Sequence, residues 1–294
     1  MVAETLAKLD PAVAANECRY VGMGSIFFRD FQIFHRRLGM NDMVTIEGNR
    51  NAESRVKFNL PLACIELMMD SAGAALAKLQ LGARPHVIWL DYESRLNPGV
   101  LSDVEEAAKR SCAGSILLVS VNAERLLGDE RESWLSGFGA EGERPHPRNP
   151  RSRREYTMLS YRLLDAAIQS AIRFRNAALP SERRIEFRQL LHLVHADGAQ
   201  MLTVGGALAG ERECASWPEH EINTLEFTRS GKDPFHVRIP PLTRREAQHL
   251  LSRVPDVGGA LNRAAAEAGI PRADARQFAS IYRYAPLFVE AEDW

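Results

Sequence analysis

Cysteine is scarce and scattered in this sequence: Cys18, Cys64, Cys112 and Cys214 form no C-x-x-C pair. That spacing argues against a disulfide framework or a structural zinc site. It favours free thiols in a reducing, cytoplasmic setting, with no metal expected. Net charge is nearly absent as well, at -1, so no global field draws the chain to nucleic acid or to an anionic membrane. No apolar run reaches the roughly 18 residues of a membrane span. The first ten residues lack a basic stretch followed by a continuous apolar one, so no secretory signal is expected. What remains is an ordinary soluble composition, 45% hydrophobic and 26% charged over 294 residues. That length suits one large domain, or a core domain with a small appendage.

Apolar runs of strand type alternate with helical patterns through the first 122 residues. Val21 opens the first strand, Met43–Ile46 reads as the second, and 63–71 as the third, ending at Asp70-Ser71. Residues 85–92 read as the fourth, apolar until Asp91, and Ser115–Val121 as the fifth. Between the first two strands, Phe27, Phe31, Phe34 and Leu38 fall on one helical face, with Gly39 as a stop. Pro98 suits the first turn of a later helix. Apolar strands separated by helices predict a parallel sheet covered on both faces, a doubly wound α/β domain.

After residue 122 the pattern changes. Residues 124–155 read as loop, and a helix is expected at roughly 157–178. Asp197-Gly198, between apolar runs across Leu190–Gly206, predicts an antiparallel hairpin. A further strand is expected from Phe235. The domain reading is a helical lead-in over 1–17, an α/β domain over 18–241 with an insertion at about 124–185, and a helical segment over 242–294. In that last segment Thr243-Arg-Arg-Glu246 fits a capping box.

Four consecutive strand ends carry the chemistry. The first delivers Gly22-Met-Gly24-Ser25, a turn that brings bare backbone near a ligand. The next three end in Glu47, Asp70 and Asp91. In an open α/β sheet the carboxyl ends of the strands form the ligand crevice. An acidic residue after the second strand suits a ribose, so an adenosine-containing cofactor is expected. Phe27 stands where a G-x-G-x-x-G dinucleotide fingerprint has its last glycine, which argues against nicotinamide or flavin.

On these motifs the chain resembles the class I S-adenosylmethionine-dependent methyltransferases, and bacterial O-methyltransferases among them. The resemblance covers residues 18–122 and the hairpin. It implies a Rossmann-like, mostly parallel sheet closed by an antiparallel hairpin. It also implies S-adenosylmethionine as cofactor, held by Gly22, Gly24 and Ser25 beside its methionine part, Glu47 on the ribose, and Asp70 with Ser71 at the adenine. Asp91 and Tyr92 match the motif that faces the reacting groups, with Asp91 as base or positioning residue and Tyr92 walling the pocket. The sequence departs from the family at Tyr20, where an acidic residue is usual, and at Ile26, where a third glycine is usual.

Other features leave alternatives open. Arg144, Arg148, Arg151, Arg153 and Arg154, spaced by prolines, read as a solvated loop, a lid over the crevice, or a phosphate-tracking segment of an RNA-modifying enzyme. His35 reads as a solvated helix residue or as one facing the crevice. His192 and His195, three apart on a strand, point to opposite faces and make a poor metal pair; His195 with Asp197 is the other pairing. The aromatic stretch from Phe278 to Phe288 reads as packing against the body or as a subunit contact, so a homo- or hetero-oligomer is open. A catalytically degenerate scaffold or nucleotide-sensing subunit is the non-enzyme alternative.

Overall fold

The computed structural model describes residues 1–138, 150 and 152–284. The chain divides into two compact units, Met1–Phe235 and His236–Trp294. The first holds α1 (Val2–Lys8), β1 (Arg19–Gly22), α2 (Arg29–Leu38), β2 (Met43–Ile46), α3 (Glu53–Phe58), β3 (Ile65–Met68) and α4 (Ala72–Lys78). It continues with β4 (His86–Arg95), α5 (Pro98–Arg110), β5 (Ser115–Asn122), α6 (Gly128–Gly137), α7 (Arg153–Ala177), β6 (Glu186–Asp197) and β7 (Ala199–Ala209). Two short helices, α8 (Glu211–Ala215) and α9 (Glu219–Asn223), precede β8 (Phe235–His236). The second unit carries α10 (Arg244–Leu251), α11 (Ala260–Glu267) and α12 (Arg272–Ile281).

The strands form one eight-stranded sheet in the order β3-β2-β1-β4-β5-β7-β6-β8. Strands β1 to β5 pair in parallel. Strand β7 runs antiparallel to β5 and to β6. This is the Rossmann-like methyltransferase fold with its antiparallel hairpin, as the sequence motifs imply. The hairpin turns at Gly198, whose φ of +88° is natural for glycine. The chain runs outward from β1 to β3, then returns to lay β4 on the other side of β1. The switch point, and with it the expected crevice, lies at the carboxyl ends of β1 and β4.

One face of the sheet packs Val21, Val44, Ile88, Leu90 and Val119 against α4, α5 and α7 through Leu76, Leu101, Val104, Leu164 and Ile168. On the other face Tyr20 meets Phe31 and Phe34 of α2 edge-on at 4.7 and 4.8 Å. Trp89 stacks beside Phe34 there, at 6.1 Å. Such aromatic contacts add to the area they bury.

Several expectations shift by a turn or a few residues. Helix α2 begins at Arg29 rather than Phe27, so Phe27 is 61% exposed and Phe28 is buried in its place. Phe28 takes a left-handed conformation, φ +48°, at the helix entrance, which swings its ring inward. Gly39 ends the helix in the left-handed region, its N–H bonded to the His35 carbonyl. Strand β4 does not stop at Asp91 but continues to Arg95 through an irregular register beside β5. The stretch read as loop holds α6, whose Trp134 contacts Phe138 and Tyr156. The rest of the Arg144–Arg154 stretch lies largely outside the described residues, but Arg153 opens α7 and pairs with Glu124. The strand from Phe235 is two residues long.

In the second unit Thr243 and Glu246 form the capping box. Phe278 packs with Leu250, Leu261, Ala265, Ile270 and Ala275 in a small core of that unit. Phe288 lies outside the described residues.

Candidate functional site

Register sets the height of each candidate residue. Gly22, the last residue of β1, pairs with Trp89 on one side and Thr45 on the other. Strands β2 and β4 continue past that level, so Glu47 and Asp91 stand beyond the end of β1. The Glu47 N–H bonds the Met68 carbonyl, which carries β3 to the same rim and puts Asp70 just above it. The carboxylates of Glu47, Asp70 and Asp91 and the Gly22–Ser25 turn therefore share one edge of the sheet.

The turn is packed from beneath. A β-carbon on Gly22 would stand 2.5 Å from the Tyr20 hydroxyl. One on Gly24 would meet Thr45 Oγ1 at 2.5 Å and the Phe28 ring at 2.8 Å. The Gly24 N–H is spent on Thr45 Oγ1 at 3.0 Å. At both glycines an added β-carbon would press on the protein's own side chains. Ser25 is exposed, its Oγ accepting from the Phe27 N–H at 3.2 Å.

Glu47 is half-buried, and its Oε1 accepts the Asn49 N–H at 2.6 Å. That bond fixes the side chain above β2, where its carboxylate suits a vicinal diol. Asp70 pairs with Lys78 at 2.7 Å. Ser71 caps α4, its Oγ accepting from the Ala74 N–H at 3.4 Å. Gly73, on the same helix, lies against Asp103 of α5. The residues present fit an adenosine-bearing cofactor on one count above all: a fixed carboxylate stands over β2 beside an open glycine, Gly48, whose nearest neighbour to an added β-carbon is the Asp70 carbonyl at 3.8 Å.

Asp91 and Tyr92 separate across the sheet. Tyr92 turns to the α5 face and donates to Asp103 at 2.6 Å. Burial, and then the bond to Asp103, push its pKa far up. Asp91 faces α2, on the side of Trp89. It reaches solvent, but the protein packed about its carboxyl removes enough water to raise its pKa above the ordinary carboxylate value. Ser120 and His195 oppose that rise, and Glu93 adds to it.

Around Asp91 the structure assembles residues that the motifs did not name. Ser120 is its cross-strand neighbour on β5. The Trp89 Nε1–H donates to Ser120 Oγ at 2.9 Å, and Ser120 Oγ lies 2.9 Å from Thr203 Oγ1 on β7. His195 Nε2 lies 3.1 Å from Thr203 Oγ1. Beneath Gly22, the Tyr20 hydroxyl donates to Asp30 of α2. Burial raises the Asp30 pKa, and the Tyr20 bond holds it back. Ser120 left a signal in the sequence, as a lone polar residue inside an apolar strand. Asp30 left none, because its place depends on how α2 lies.

His192 and His195 do point to opposite faces. His192 stacks flat on Tyr161 of α7 at 4.2 Å, while His195 faces Thr203. His35 closes the far end of α2 through the Met40 carbonyl at 2.9 Å, away from the rim. Among the described residues no group of three or more His, Cys, Asp or Glu could hold a metal ion. No helix among them is long and apolar enough to cross a membrane.

The model of the family described as "Putative O-methyltransferase" matches residues 1–293. No curated protein matches the sequence. Similar solved structures include an O-methyltransferase from Klebsiella pneumoniae, 18% identical, covering 71% of this chain and 80% of that one at a TM-score of 0.40. Another is the O-methyltransferase TomG from Streptomyces achromogenes, solved with S-adenosylmethionine: 18% identity, 71% and 78% coverage, TM-score 0.40. The fibrillarin pre-rRNA processing protein of Methanococcus jannaschii is 8% identical, with 68% and 70% coverage and a TM-score of 0.40.

Proposed function

The chain belongs to the O-methyltransferase family, and from that premise we propose that it methylates an oxygen of its acceptor at the β1–β4 rim, with Asp91 receiving the acceptor's proton. Its cofactor is S-adenosylmethionine, which supplies an electrophilic methyl group on a sulfonium sulfur. Glu47 would hold the ribose hydroxyls, Asp70 and Ser71 would flank the adenine, and Ser25 with the Gly22–Gly24 backbone would border the methionine part. Asp91 would take the acceptor's hydroxyl proton as its oxygen accepts the methyl group that the cofactor would supply. Alignment of oxygen, methyl and sulfur supplies most of the acceleration, and the base adds to it.

The observation that carries this reading is Asp91 itself. It rises above the end of β1, the protein packed about it partly strips its carboxyl of water, and Ser120 stands beside it on β5. A carboxylate with a raised pKa is a stronger base than one in water. Tyr92 is held on the α5 face by its bond to Asp103. Four free thiols support a reducing, cytoplasmic location.

Isothermal titration with S-adenosylmethionine and its demethylated product tests the reading. Saturable binding of both is expected. No binding at millimolar ligand overturns it and leaves a scaffold role. Binding that survives intact in Asp91→Asn, together with lost turnover, assigns the base.

A further inference from the structure

The methyl-transfer reading uses no residue of the second unit, His236–Trp294. Over residues 236–284 that unit holds eight arginines and no lysine against four carboxylates, Glu246, Asp256, Glu267 and Asp274. Glu290, Glu292 and Asp293 follow, outside the described residues. The near-neutral balance of the whole chain hides this local excess. Helices α11 and α12 are joined by four residues, Ala268 to Pro271. Gly269 makes the turn: its φ is +70°, and the next N–H, that of Ile270, reaches back to the Ala265 carbonyl at 2.8 Å. That bond closes α11 as a Schellman turn and buries Ile270. Pro271, which cannot continue α11, caps the start of α12. Ala264 and Ala265 of α11 and Ala275 of α12 are buried, and such small side chains let two helices approach closely. Leu250 of α10 and Phe278 of α12 complete the core. Two helices on a short glycine turn, with a third packed against them, are the construction of a helix-turn-helix.

Burial divides α12 into two faces. Ala275, Phe278 and Ile281 are buried, three apart along the helix. Arg272 and Arg276 are exposed, as is Arg283 just past the helix end, with Gln277 and Ser280 half-buried. Asp274 is the one carboxylate on α12. We propose that the second unit binds duplex DNA, with α12 in the major groove and Arg272, Arg276 and Arg283 meeting phosphates and base edges. An α-helix fits the major groove of B-form DNA, whereas the deep, narrow major groove of A-form RNA rejects it. Arginine donates in a planar fork that suits phosphate or guanine, and glutamine can pair with adenine. The second helix of the motif is the one that reads the groove, and here it is the one that exposes arginine at i and i+4.

Fluorescence anisotropy of a labelled, mixed-sequence DNA duplex of about 30 base pairs, roughly three helical turns, tests this with the full chain. Binding in the micromolar range is expected at about 50 mM salt, weakening steeply toward about 200 mM. Arg272→Gln with Arg276→Gln should weaken it by about tenfold or more and make the salt slope shallower by about 2, roughly one unit per lost contact. Both positions are exposed and glutamine is a good helix former, so the melting curve should not move. Arg148→Gln with Arg151→Gln, in the insertion of the first unit, should leave the affinity unchanged. Absence of duplex binding at about 50 mM salt overturns the proposal. So does equal or tighter binding of double-stranded RNA, or a loss confined to the insertion variant. If the duplex is not bound and sedimentation shows self-association that Arg272→Gln with Arg276→Gln breaks, the α12 face is a protein interface and the proposal falls. Duplex binding needs no cofactor, so a failure to bind S-adenosylmethionine would sink the methyl-transfer reading and leave this one standing.

Discussion

The Tyr20 hydroxyl lies directly under Gly22, 2.5 Å from where a β-carbon on that glycine would stand, and it donates from there to Asp30. The glycine turn therefore rests on a buried tyrosine that is bonded to a carboxylate from α2.

Gly24→Ala should destabilise the fold rather than merely obstruct a ligand. The new methyl would press on Thr45 Oγ1 and the Phe28 ring, and overpacking of this kind costs about 1–3 kcal/mol. Urea unfolding of the apo protein measures it. An unchanged midpoint would return Gly24 to the role of a bare ligand cradle.

Tyr20→Phe removes the only hydrogen that the structure shows reaching Asp30 from β1. Loss of a hydrogen bond to a buried charge costs about 1–3 kcal/mol. The Asp30 pKa, already raised by burial, should rise further, since the Tyr20 bond lowers it. A carboxyl whose folded pKa exceeds its unfolded value contributes stability below the unfolded value and loses it as pH rises through the folded one. Denaturation curves from about pH 4 upward should thus fall more steeply with pH in the variant than in the parent. Parallel curves would show that Asp30 stays equally ionised without the tyrosine.

Asp91→Asn should abolish most turnover while leaving the melting temperature at neutral pH equal or higher. The sign follows from the raised pKa: ionising Asp91 costs the folded state more than the unfolded one, and the amide removes that cost. In the parent, kcat/KM should climb with pH as Asp91 ionises and then level off. A flat profile across the acid side would remove Asp91 as the base.

Glu47→Ala should weaken cofactor binding by about 1–3 kcal/mol, the range for charge-assisted hydrogen bonds to a ribose. Glu47→Gln should lose less, because its amide oxygen can still accept the Asn49 N–H and hold the loop. Calorimetry on the two variants separates ribose contact from loop support. Equal affinities in both and in the parent would place the ribose elsewhere.

Much of the fold was legible because strand and helix periodicities are local. Met43–Ile46, Ser115–Val121 and the Asp197-Gly198 turn each declare themselves within a few residues, and the alternation of elements makes the parallel sheet follow. Glu47 and Asp70 were legible for the same reason, since each follows an apolar run at a strand's end, whereas Asp91 closes the apolar run of β4 but not the strand. The limits were local too. At Phe27 and Phe28 two adjacent aromatics left the helix start open, and only the left-handed Phe28 resolves it. Strand β4 outran its apolar stretch because pairing with β5 carries it on to Arg95.

The sequence by itself determined that the chain builds a doubly wound sheet and lifts Glu47, Asp70 and Asp91 to one rim. Side-chain direction across that rim was a tertiary decision. Alternation on β4 sends Tyr92 to Asp103 and Asp91 toward α2, which divides two residues that read as one motif. Ser120 lies 83 residues from Thr203, and sheet register brings their hydroxyls within hydrogen-bond distance; His195 reaches Thr203 across the hairpin. The same register makes the glycines of the turn answer first to Tyr20, Thr45 and Phe28. Local patterns report which face a residue can occupy; close packing decides what it meets there.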